Sequence, residues 1–488
     1  MLKTGAAHLE SLRDGRKVYI GGELVDDVTT HPAFRNAAAS FAMLYEKKRA
    51  PENIETMSYE EDGERFSSWF LVPRSREDLE KRADTHRRIA NWTHGLLGRS
   101  PDHVASFVTG LTFKPEMFEE IGKGFGDNIL NYYKYMRHND ICATYTVLPP
   151  QGARSPEMYE KAGKKVPTLR VTEETDKGVI LNGMKMLGTS AVFCNETWVG
   201  NLLPLAPDQL KESITCPVPL NSPGLSMWVR KPYEKYAVTE FDNPLAYRYD
   251  ETDSMVLFED VFIPWEKVFV HDNPAMSREI YIRTPSHVMG NHQSNIRFAE
   301  KLKLILSVIK RITDSNNIGH IQAVQLILAK LASGVATLEA MIQGQIMSYE
   351  EMVPGTVNVN RRFMYAALLW CTSNYGEICD TARELLGGGP FQVPADISVL
   401  ADPALAETFE EYWSTPDETA VQRMKLQKLA WDILGTDFAG RHAQYEKFYA
   451  GPSFVVTNYS YIYCDWEALN DRLQETLDGY DVPDAYKT

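Results

Sequence analysis

The sequence predicts an α+β protein of three successive parts: a mainly helical domain over residues 1–145, a β domain over residues 146–272 and a helical bundle over residues 273–488. Three observations favour this order. Apolar residues recur at helical spacing through the last third of the chain. The middle third consists of short β-type runs separated by glycine, proline and asparagine. The length of 488 residues and the 44% hydrophobic content suit two or three domains that share large cores.

Composition excludes several classes of protein. The formal net charge is −15 and the sequence pI is about 5.3, which argues against nucleic acid or an anionic membrane as the main partner. The first residues lack the apolar core of a signal peptide, and no apolar run approaches the roughly 20 residues of a membrane span. We therefore expect a cytoplasmic protein.

The six cysteines are scattered and form no C-x-x-C pair. This pattern favours reduced core thiols over disulfides, zinc or iron–sulfur sites, so no metal site is expected.

Two N-terminal segments are informative. Residues 17–25 alternate β-type residues around Gly21-Gly22, which predicts a short hairpin. Further on, Ser100 as a cap and Pro101 as the first helical residue place Arg99 at the start of a helix. A guanidinium beside a helix N-terminus suits an oxyanion such as a phenolate or carboxylate. A plain surface arginine is the equally weighted alternative.

The middle part is predicted to form a β-barrel or a sandwich from strands near residues 169–173, 179–183, 225–229 and 255–258. Two irregular loops interrupt it. The first carries Gln151 and Arg154, which could face a planar heterocycle, and the second spans residues 187–191 and carries Thr189 and Ser190. Ordinary turns are the simpler interpretation of both loops.

The C-terminal part is predicted to hold four long helices and hence an antiparallel bundle. Apolar stripes indicate the first two helices, and residues 361–386 form the third. For the fourth, Thr415 and Glu418 make a capping box with Pro416 at the first helical position. The bundle opens on residues 289–294, where a histidine near the core could titrate and act as a catalytic base. Most such histidines are structural.

Neither a phosphate loop nor the Rossmann glycine spacing is present, so any flavin would bind without a dinucleotide fold. Two glycine-containing segments could approach its phosphates. One is Gly387-Gly388-Gly389, for which a helix C-cap is the simpler explanation. The other runs from Arg441 through Tyr449 to Gly451 and supplies charge, hydrogen-bond donors and open backbone.

Taken together, these motifs resemble a known family. The order of helical, β and four-helix parts is that of flavoproteins of the acyl-CoA dehydrogenase type. Within that fold, the chain resembles the two-component, reduced-flavin-dependent phenol monooxygenases, which include 4-hydroxyphenylacetate 3-monooxygenase and the chlorophenol and nitrophenol monooxygenases. The resemblance runs almost end to end and rests on four segments: Val28–Phe34, Gly98–Asp102, Phe258–Glu266 and Gly440–Glu446.

The resemblance implies an acyl-CoA dehydrogenase-like homotetramer that takes FADH2 from a separate NAD(P)H-dependent flavin reductase. It also implies that O2 forms a C4a-hydroperoxyflavin, which hydroxylates a phenol. Arg99 would bind the phenol oxygen or lie beside the flavin. The implied flavin-binding set is Gln151, Arg154, Thr189, Arg441, Tyr449 and Gly451.

Departures from the family pattern indicate the subgroup. His103 stands where the hydroxyphenylacetate enzymes typically have tyrosine, and Tyr145 aligns with their substrate-binding histidine to within one residue. His103, Tyr145 and Ser190 are therefore expected to contact substrate. His292 resembles the histidine that deprotonates the phenol in the chlorophenol and nitrophenol enzymes, and a base suits this chemistry because a phenolate is the better nucleophile.

Several alternatives stay open at this point. The reaction could be ortho hydroxylation, or dehalogenation or denitration at a substituted para carbon. The substrate could be 4-hydroxyphenylacetate or a natural-product phenol. The related 4-hydroxybutyryl-CoA dehydratases need an iron–sulfur cluster, for which no cysteine cluster exists. An acyl-CoA dehydrogenase-like flavoprotein is the alternative from another class.

Overall fold

The computed structural model describes residues 2–153 and 155–486. Within these ranges the α-helices are α1 Gly5–Glu10, α2 Arg35–Arg49, α3 Ile54–Met57, α4 Arg76–Trp92, α5 Pro101–Leu111, α6 Glu116–Glu119, α7 Phe125–Asn139, α8 Pro156–Lys161, α9 Ala246–Tyr249, α10 Met276–Ile282, α11 Ser286–Ser315, α12 Gln322–Met347, α13 Arg361–Leu386, α14 Pro403–Trp413, α15 Ala420–Leu434, α16 Asp437–Lys447, α17 Ser453–Ile462 and α18 Trp466–Asp478. The strands are β1 Lys17–Ile20, β2 Glu23–Val25, β3 Ser58–Glu61, β4 Glu64–Ser67, β5 Ala143–Thr146, β6 Arg170–Glu174, β7 Gly178–Lys185, β8 Glu196–Val199, β9 Ile214–Pro219, β10 Leu225–Val229, β11 Ser254–Pro264, β12 Val270–His271, β13 Glu350–Val353 and β14 Thr356–Asn358.

The middle strands form two open sheets and no closed barrel in the described residues. One sheet has six strands in the order β2-β1-β10-β11-β7-β6, and the other has four in the order β12-β9-β8-β5. The predicted β-barrel is therefore wrong. A barrel requires the first and last strands of a sheet to pair, and here β2 and β6 are edges of one sheet while β12 and β5 are edges of the other.

The predicted hairpin near the N-terminus is confirmed, and it contributes to the larger sheet. β1 and β2 pair antiparallel across the Gly21 turn. β1 also pairs in parallel with β10, with Lys17 opposite Ser226. Residues at the start of the chain are thus hydrogen-bonded to a strand about 200 positions later. Such a pairing leaves no local sequence signal, and only the hairpin itself could be predicted.

Four helices of the C-terminal part pack together: α11, α12, α13 and α15. The first three match the predicted helices, and α13 has the predicted bounds. The fourth begins at Ala420 rather than after Thr415, because Thr419 and Gln422 form the capping box that is present. Thr415 instead closes a turn, in which its hydroxyl accepts a hydrogen bond from the Glu418 amide at 3.1 Å.

Two helices expose apolar surface. α12 is long and apolar enough by length and composition to cross a membrane, which differs from the sequence-based expectation. Core helices of globular proteins pass the same test, and α12 packs against α11 and α13 along one stripe. α18 has no buried residue, and its apolar side chains lie at helical spacing on one face. These side chains are Trp466, Leu469, Leu473 and Leu477.

Candidate active site

Arg99 lies in a loop that the surrounding helices hold tightly. Glycine is required at position 98, since a Cβ atom there would lie 2.0 Å from the hydroxyl of Tyr445 on α16. Ser100 is the N-cap of α5 and Pro101 its first residue, as predicted. The Arg99 side chain is buried with 6% exposure. The loop therefore presents a buried guanidinium at the positive end of α5.

Arg99 already binds two phenol hydroxyls of its own chain. Its Nη2 donates to the hydroxyl of Tyr145 at 2.8 Å, and its Nη1 donates to that of Tyr449 at 2.7 Å. The Tyr449 hydroxyl also lies in close contact with the hydroxyl of Ser294 on α11. The guanidinium lies 4.5 Å from the centroid of the Tyr145 ring. This geometry is what a phenol oxygen and ring would meet if they replaced either tyrosine.

His103 completes this group, one helical turn after Arg99. Its Nε2 accepts hydrogen bonds from Arg99 Nη1 at 3.2 Å and from the Tyr449 hydroxyl at 3.1 Å. Its ring stacks on Tyr145 with centroids 5.3 Å apart. Burial, together with the nearby charge of Arg99, holds the pKa of His103 well below its ordinary value. His103 is therefore a neutral hydrogen-bond acceptor in this arrangement.

A small apolar cavity adjoins the Arg99 group through the ring of Tyr145. Its volume is about 10 Å³, the space of one water molecule. Helix α5, the β5 region, the β8 region and α10 supply its walls. The lining residues are Val104, Phe107, Tyr145, Val147, Trp198, Leu202 and Tyr281. A phenol would enter only if side chains such as Tyr145 move.

Sequence reasoning missed Glu251, which joins three parts of the site. Its carboxylate accepts hydrogen bonds from the backbone amides of Gly98 at 2.8 Å and Arg99 at 3.1 Å. It also accepts from the Ser190 hydroxyl at 3.1 Å and from Arg441 Nη1 at 2.8 Å. Glu251 is 1% exposed. It thus fixes the Arg99 loop, the loop of residues 187–190 and helix α16 relative to one another.

Asp253 forms a second junction beside Glu251. Its carboxylate accepts from the Thr189 hydroxyl at 2.6 Å, from Arg441 Nη2 at 2.7 Å and from Arg230 Nε at 2.8 Å. Burial alone would raise the pKa of Asp253, but Arg441 and Arg230 hold it well below its usual range. The structure therefore places Thr189 and Arg441 on one carboxylate, which the sequence did not reveal.

The loop of residues 187–190 is strained. Leu187 and Ser190 have φ angles of 60° and 61°, a region that side chains other than glycine rarely adopt. Backbone hydrogen bonds hold it, including Ser190 N–H to the Glu251 carbonyl at 2.9 Å and Gly188 N–H to the Ser254 carbonyl at 2.8 Å. Non-glycine residues kept in this region are concentrated at ligand-binding sites.

The remaining predicted flavin residues come from two segments, around residue 151 and around residues 449–451. Gln151 lies in an exposed turn beside the strained loop, since the Met186 amide donates to the Leu148 carbonyl at 2.9 Å. Gly451 has a φ of 91°, which requires glycine, and Tyr449 lies on Arg99. Arg154 lies outside the described residues.

The polar groups in this region fit a flavin. The Tyr445 hydroxyl is buried beside Gly98 without a hydrogen-bond partner in the described residues, and the amide of Gln151 is exposed. A flavin ring system offers several nitrogen and oxygen acceptors to such donors. The three nitrogen atoms of Arg441 are already bonded to Asp253 and Glu251, so its main contribution in this arrangement is to hold the two carboxylates.

His292 does not contact the Arg99 group. It lies in the second turn of α11 rather than before the helix, and its Nδ1 donates to the Gln345 amide oxygen at 2.6 Å. Its Nε2 is buried without a partner in the described residues, and its ring faces that of His86 at 6.5 Å. Burial lowers the pKa of His292 to about 3.

His287, which the sequence analysis did not select, lies on the face of α11 that packs against Phe107 of α5. Its ring meets the cavity-lining Phe107 edge-on at 6.2 Å. Its Nδ1 is 2.8 Å from the Tyr365 hydroxyl. Burial lowers the pKa of His287 to about 4. Helical spacing is the signal that could have found it, since five residues turn a helix by about 140° and so separate the faces of His287 and His292.

Comparison with known proteins identifies the family. The model of the 4-hydroxyphenylacetate 3-hydroxylase N-terminal region matches residues 4–270, and the model of the C-terminal region matches residues 277–478. The chain therefore belongs to the 4-hydroxyphenylacetate 3-hydroxylase family of flavin-dependent aromatic monooxygenases.

Individual relatives cover nearly the whole chain. A pyoverdin chromophore biosynthetic protein of Pseudomonas aeruginosa is 30% identical over 92% of this chain and 89% of its own length. The oxygenase component of a 4-nitrophenol 2-monooxygenase of a Rhodococcus species is 30% identical over 98% of this chain and 92% of its own length.

Solved structures agree with this assignment. An oxygenase component of 4-hydroxyphenylacetate 3-monooxygenase, complexed with FAD and 4-hydroxyphenylacetate, superposes with a TM-score of 0.91 at 27% identity over 98% of each chain. An archaeal 4-hydroxybutyryl-CoA dehydratase from N. maritimus superposes with a TM-score of 0.87 at 17% identity, over 100% of this chain and 99% of the other. That second likeness shows the fold alone.

Proposed function

We propose that this protein is the oxygenase component of a two-component monooxygenase that hydroxylates a phenol with FADH2 and O2. The observation that carries the proposal is the buried Arg99, which binds two phenol hydroxyls and adjoins an apolar cavity. A substrate phenol that displaced the Tyr145 hydroxyl from Arg99 would place its oxygen on Nη2, beside the rings of His103 and Tyr145. Family membership supports the same reaction.

Each group would have a distinct part in the reaction. Arg99 would hold the phenol oxygen and stabilise its ionised form, because a guanidinium binds an oxyanion through charge-assisted hydrogen bonds. His103, Tyr145 and Ser190 would orient the substrate. Reduced FAD, when bound, supplies with O2 the oxygen atom that is transferred. Its proposed ligands are Gln151, Arg154, Thr189, Arg441, Tyr449 and Gly451.

We propose that a histidine of α11 is the base that deprotonates the phenol. His292 has a free Nε2 but lies between α4 and α12, whereas the ring of His287 contacts Phe107, which lines the cavity. Alanine at each position separates the two roles. If His292 is the base, His292→Ala uncouples oxygen use from hydroxylation and releases H2O2, while His287→Ala keeps coupling. The reverse result would transfer the role to His287.

The function is tested by supplying the protein with an NAD(P)H-dependent flavin reductase, FAD, labelled O2 and a panel of phenols. We expect one labelled oxygen atom in each product molecule, and no product without reduced FAD. Arg99→Lys keeps the charge but loses the planar fork, so kcat/KM should fall by about 10- to 100-fold. The exposed Arg362→Lys is the matched control. Oxygen consumption without product from any phenol would overturn the proposal.

We also propose that the chain assembles with copies of itself, as a homotetramer. The apolar face of α18 projects from the body of the protein, with Leu469 51% and Leu473 56% exposed. The outer face of α12 is likewise apolar, with Leu326 65% exposed. Faces of this kind are stabilised when another subunit covers them. Reductase and oxygenase would then be linked by diffusion of the flavin.

A further inference from the structure

The side chains that line the cavity beside Arg99 limit which ring substituent the substrate can carry. A phenol whose oxygen lies on Arg99 at the position of the Tyr145 hydroxyl would direct the rest of its ring toward this cavity. Resting on the proposed function, we infer that the substrate is a phenol with an uncharged, apolar ring substituent of the alkyl or halogen class, and not a phenol that carries a carboxylate.

The lining is apolar on every element that contributes to it. Helix α5 supplies Val104 and Phe107, and the β5 region supplies Val147. Trp198 and Leu202 close the side formed by β8 and the loop after it. Among the described residues no charged side chain lines the cavity. Such walls favour transfer of an apolar group out of water.

The lining side chains offer a carboxylate no cation. The Trp198 Nε1 donates to the Tyr281 hydroxyl at 2.7 Å. The other polar atoms of the lining are the neutral hydroxyls of Tyr145 and Tyr281, and Arg99 would be occupied by the phenol oxygen. A carboxylate in the cavity would therefore find no positive charge among these residues.

Two basic residues, Lys185 and Arg278, are also engaged in hydrogen bonds elsewhere. Lys185 is fully buried behind Gly200, and its Nζ donates to the Gly200 carbonyl at 2.9 Å and to Asn201 Oδ1 at 2.8 Å. Burial lowers the pKa of Lys185 to about 7. Arg278, one turn before Tyr281 on α10, donates to the Tyr459 hydroxyl at 3.3 Å.

The consequence is a strong discrimination against acids. A buried carboxylate without a cation loses more free energy through dehydration than hydrogen bonds from neutral hydroxyls restore. An alkyl or halogen substituent of similar size loses no hydrogen bond. We expect a phenol with an apolar substituent to bind at least about 100-fold more tightly than a phenol of the same size that carries a carboxylate.

The test is an anaerobic calorimetric titration of the protein saturated with reduced FAD. The ligands are 4-ethylphenol, 4-chlorophenol, 4-hydroxyphenylacetate and its neutral methyl ester, which controls for size. We expect the two apolar phenols to bind, the ester to bind more weakly, and the acid to show no binding at millimolar concentration. If the acid binds as tightly as 4-ethylphenol, the inference is wrong and the proposed function stands. If none of the phenols binds, the proposed function itself fails.

A substitution in the wall provides an independent test. Leu202 is half-buried in the loop after β8, so a lysine can be accommodated there without burying its whole side chain. Leu202→Lys should gain binding of 4-hydroxyphenylacetate and lose binding of 4-ethylphenol by about tenfold each. Leu202→Met is the matched control and should keep the original preference. Unchanged selectivity in a folded Leu202→Lys protein would place the substituent elsewhere and overturn the inference.

Discussion

At the scale of single residues, the site depends on groups whose role is to orient others. Glu251 accepts four hydrogen bonds from Gly98, Arg99, Ser190 and Arg441. None of these partners is near it in the sequence. Glu251 holds the backbone amide of Arg99, so a shift of Glu251 would move the loop that carries the buried guanidinium.

Glu251→Gln keeps the shape of the side chain but removes its charge. We expect hydroxylation to fall by about 100-fold in kcat, because a displacement of about 1 Å at a reacting group has effects of that size. The binding of phenol should change much less. Steady-state kinetics and the ratio of H2O2 to product measure both effects. The exposed Glu259→Gln is the control, and an equal loss in both variants would contradict a positioning role.

Prediction from sequence succeeded at this scale where the signal was local. Arg99 was found from the cap and the proline that follow it, and the structure confirms that helix start. Glu251 and Asp253 could not be predicted as site residues. Their partners are arginines and backbone amides far away in sequence, and nothing in the local sequence of an acidic loop residue indicates such partners. Asn317, Asp260 and other polar loop residues look the same in the sequence.

At the scale of elements, a buried ion cluster fastens α16 to α11. Arg297 makes two hydrogen bonds to the Glu446 carboxylate, at 2.8 and 2.7 Å, and Lys301 contacts the same group. Arg297 also donates to the Gly95 carbonyl at 2.8 Å, just before the Arg99 loop. The cluster thus couples the packing of two helices to the placement of Arg99.

Glu446→Gln should be strongly destabilising, since it leaves two buried cations without their counter-charge. We expect a loss of about 3–5 kcal/mol in the free energy of unfolding, measured by urea denaturation at pH 7. Burial alone would raise the pKa of Glu446, but Arg297 and Lys301 lower it to about 2. Its stabilisation is therefore full above pH 4.5 and is lost as the pH falls toward 2. Glu467→Gln, on the exposed α18, is the control, and equal stability of both variants would contradict this account.

The exposed face of α18 gives a test of assembly. Leu469→Glu combined with Leu473→Glu places two charges in the proposed contact and should convert a tetramer of 55.3 kDa chains into smaller species. Light scattering after size exclusion measures the mass. Asn470→Glu, elsewhere on the same exposed helix, should leave the mass unchanged. A wild-type protein that is monomeric at micromolar concentration would refute the proposal.

Elements were predicted well, and their arrangement less well. Apolar periodicity located α11, α12 and α13, and strands β7 and β10 appeared where alternation and turn residues placed them. Whether a sheet closes into a barrel could not be predicted in this way, because edge strands and central strands show the same alternation of polar and apolar residues. Helical spacing shows which residues share a face of α11 with His292. To say whether that face is turned toward the site, one must also know on which side of α11 the helix α5 packs.

At the scale of the whole molecule, buried neutral histidines make stability depend on pH. Burial is the main cause that lowers the pKa of His8, His86, His103, His287, His292 and His442. In the unfolded chain these groups titrate near 6.5. Their contribution to stability is full above pH 6.5, because the unfolded state binds more protons below that pH. It is lost as the pH falls through the lowered folded-state pKa values, which are about 4 for His287 and about 3 for His292.

Urea unfolding at pH 7.5, 6.0 and 5.0 should show the free energy of unfolding falling by about 1.4 kcal/mol per pH unit for each histidine that protonates. Glu234 acts in the opposite direction. Burial raises its pKa to about 8, so the folded state holds one proton more than the unfolded state at this site, and this contribution to stability grows as the pH falls. His8→Phe removes one of the histidines and should make the dependence shallower. A free energy that is constant from pH 7.5 to 5.0 would contradict the interpretation.

The parallel pairing of β1 with β10 also has a consequence for synthesis of the chain. β1 lies between β2 and β10 in the larger sheet, and β11 and β7 complete it on the other side. The chain must therefore be synthesised through Val229, the end of β10, before β1 can pair with its second neighbour. Until then the N-terminal hairpin has one unpaired edge and no partner sheet, so nascent chains stopped before β10 are expected to be the species that bind chaperones.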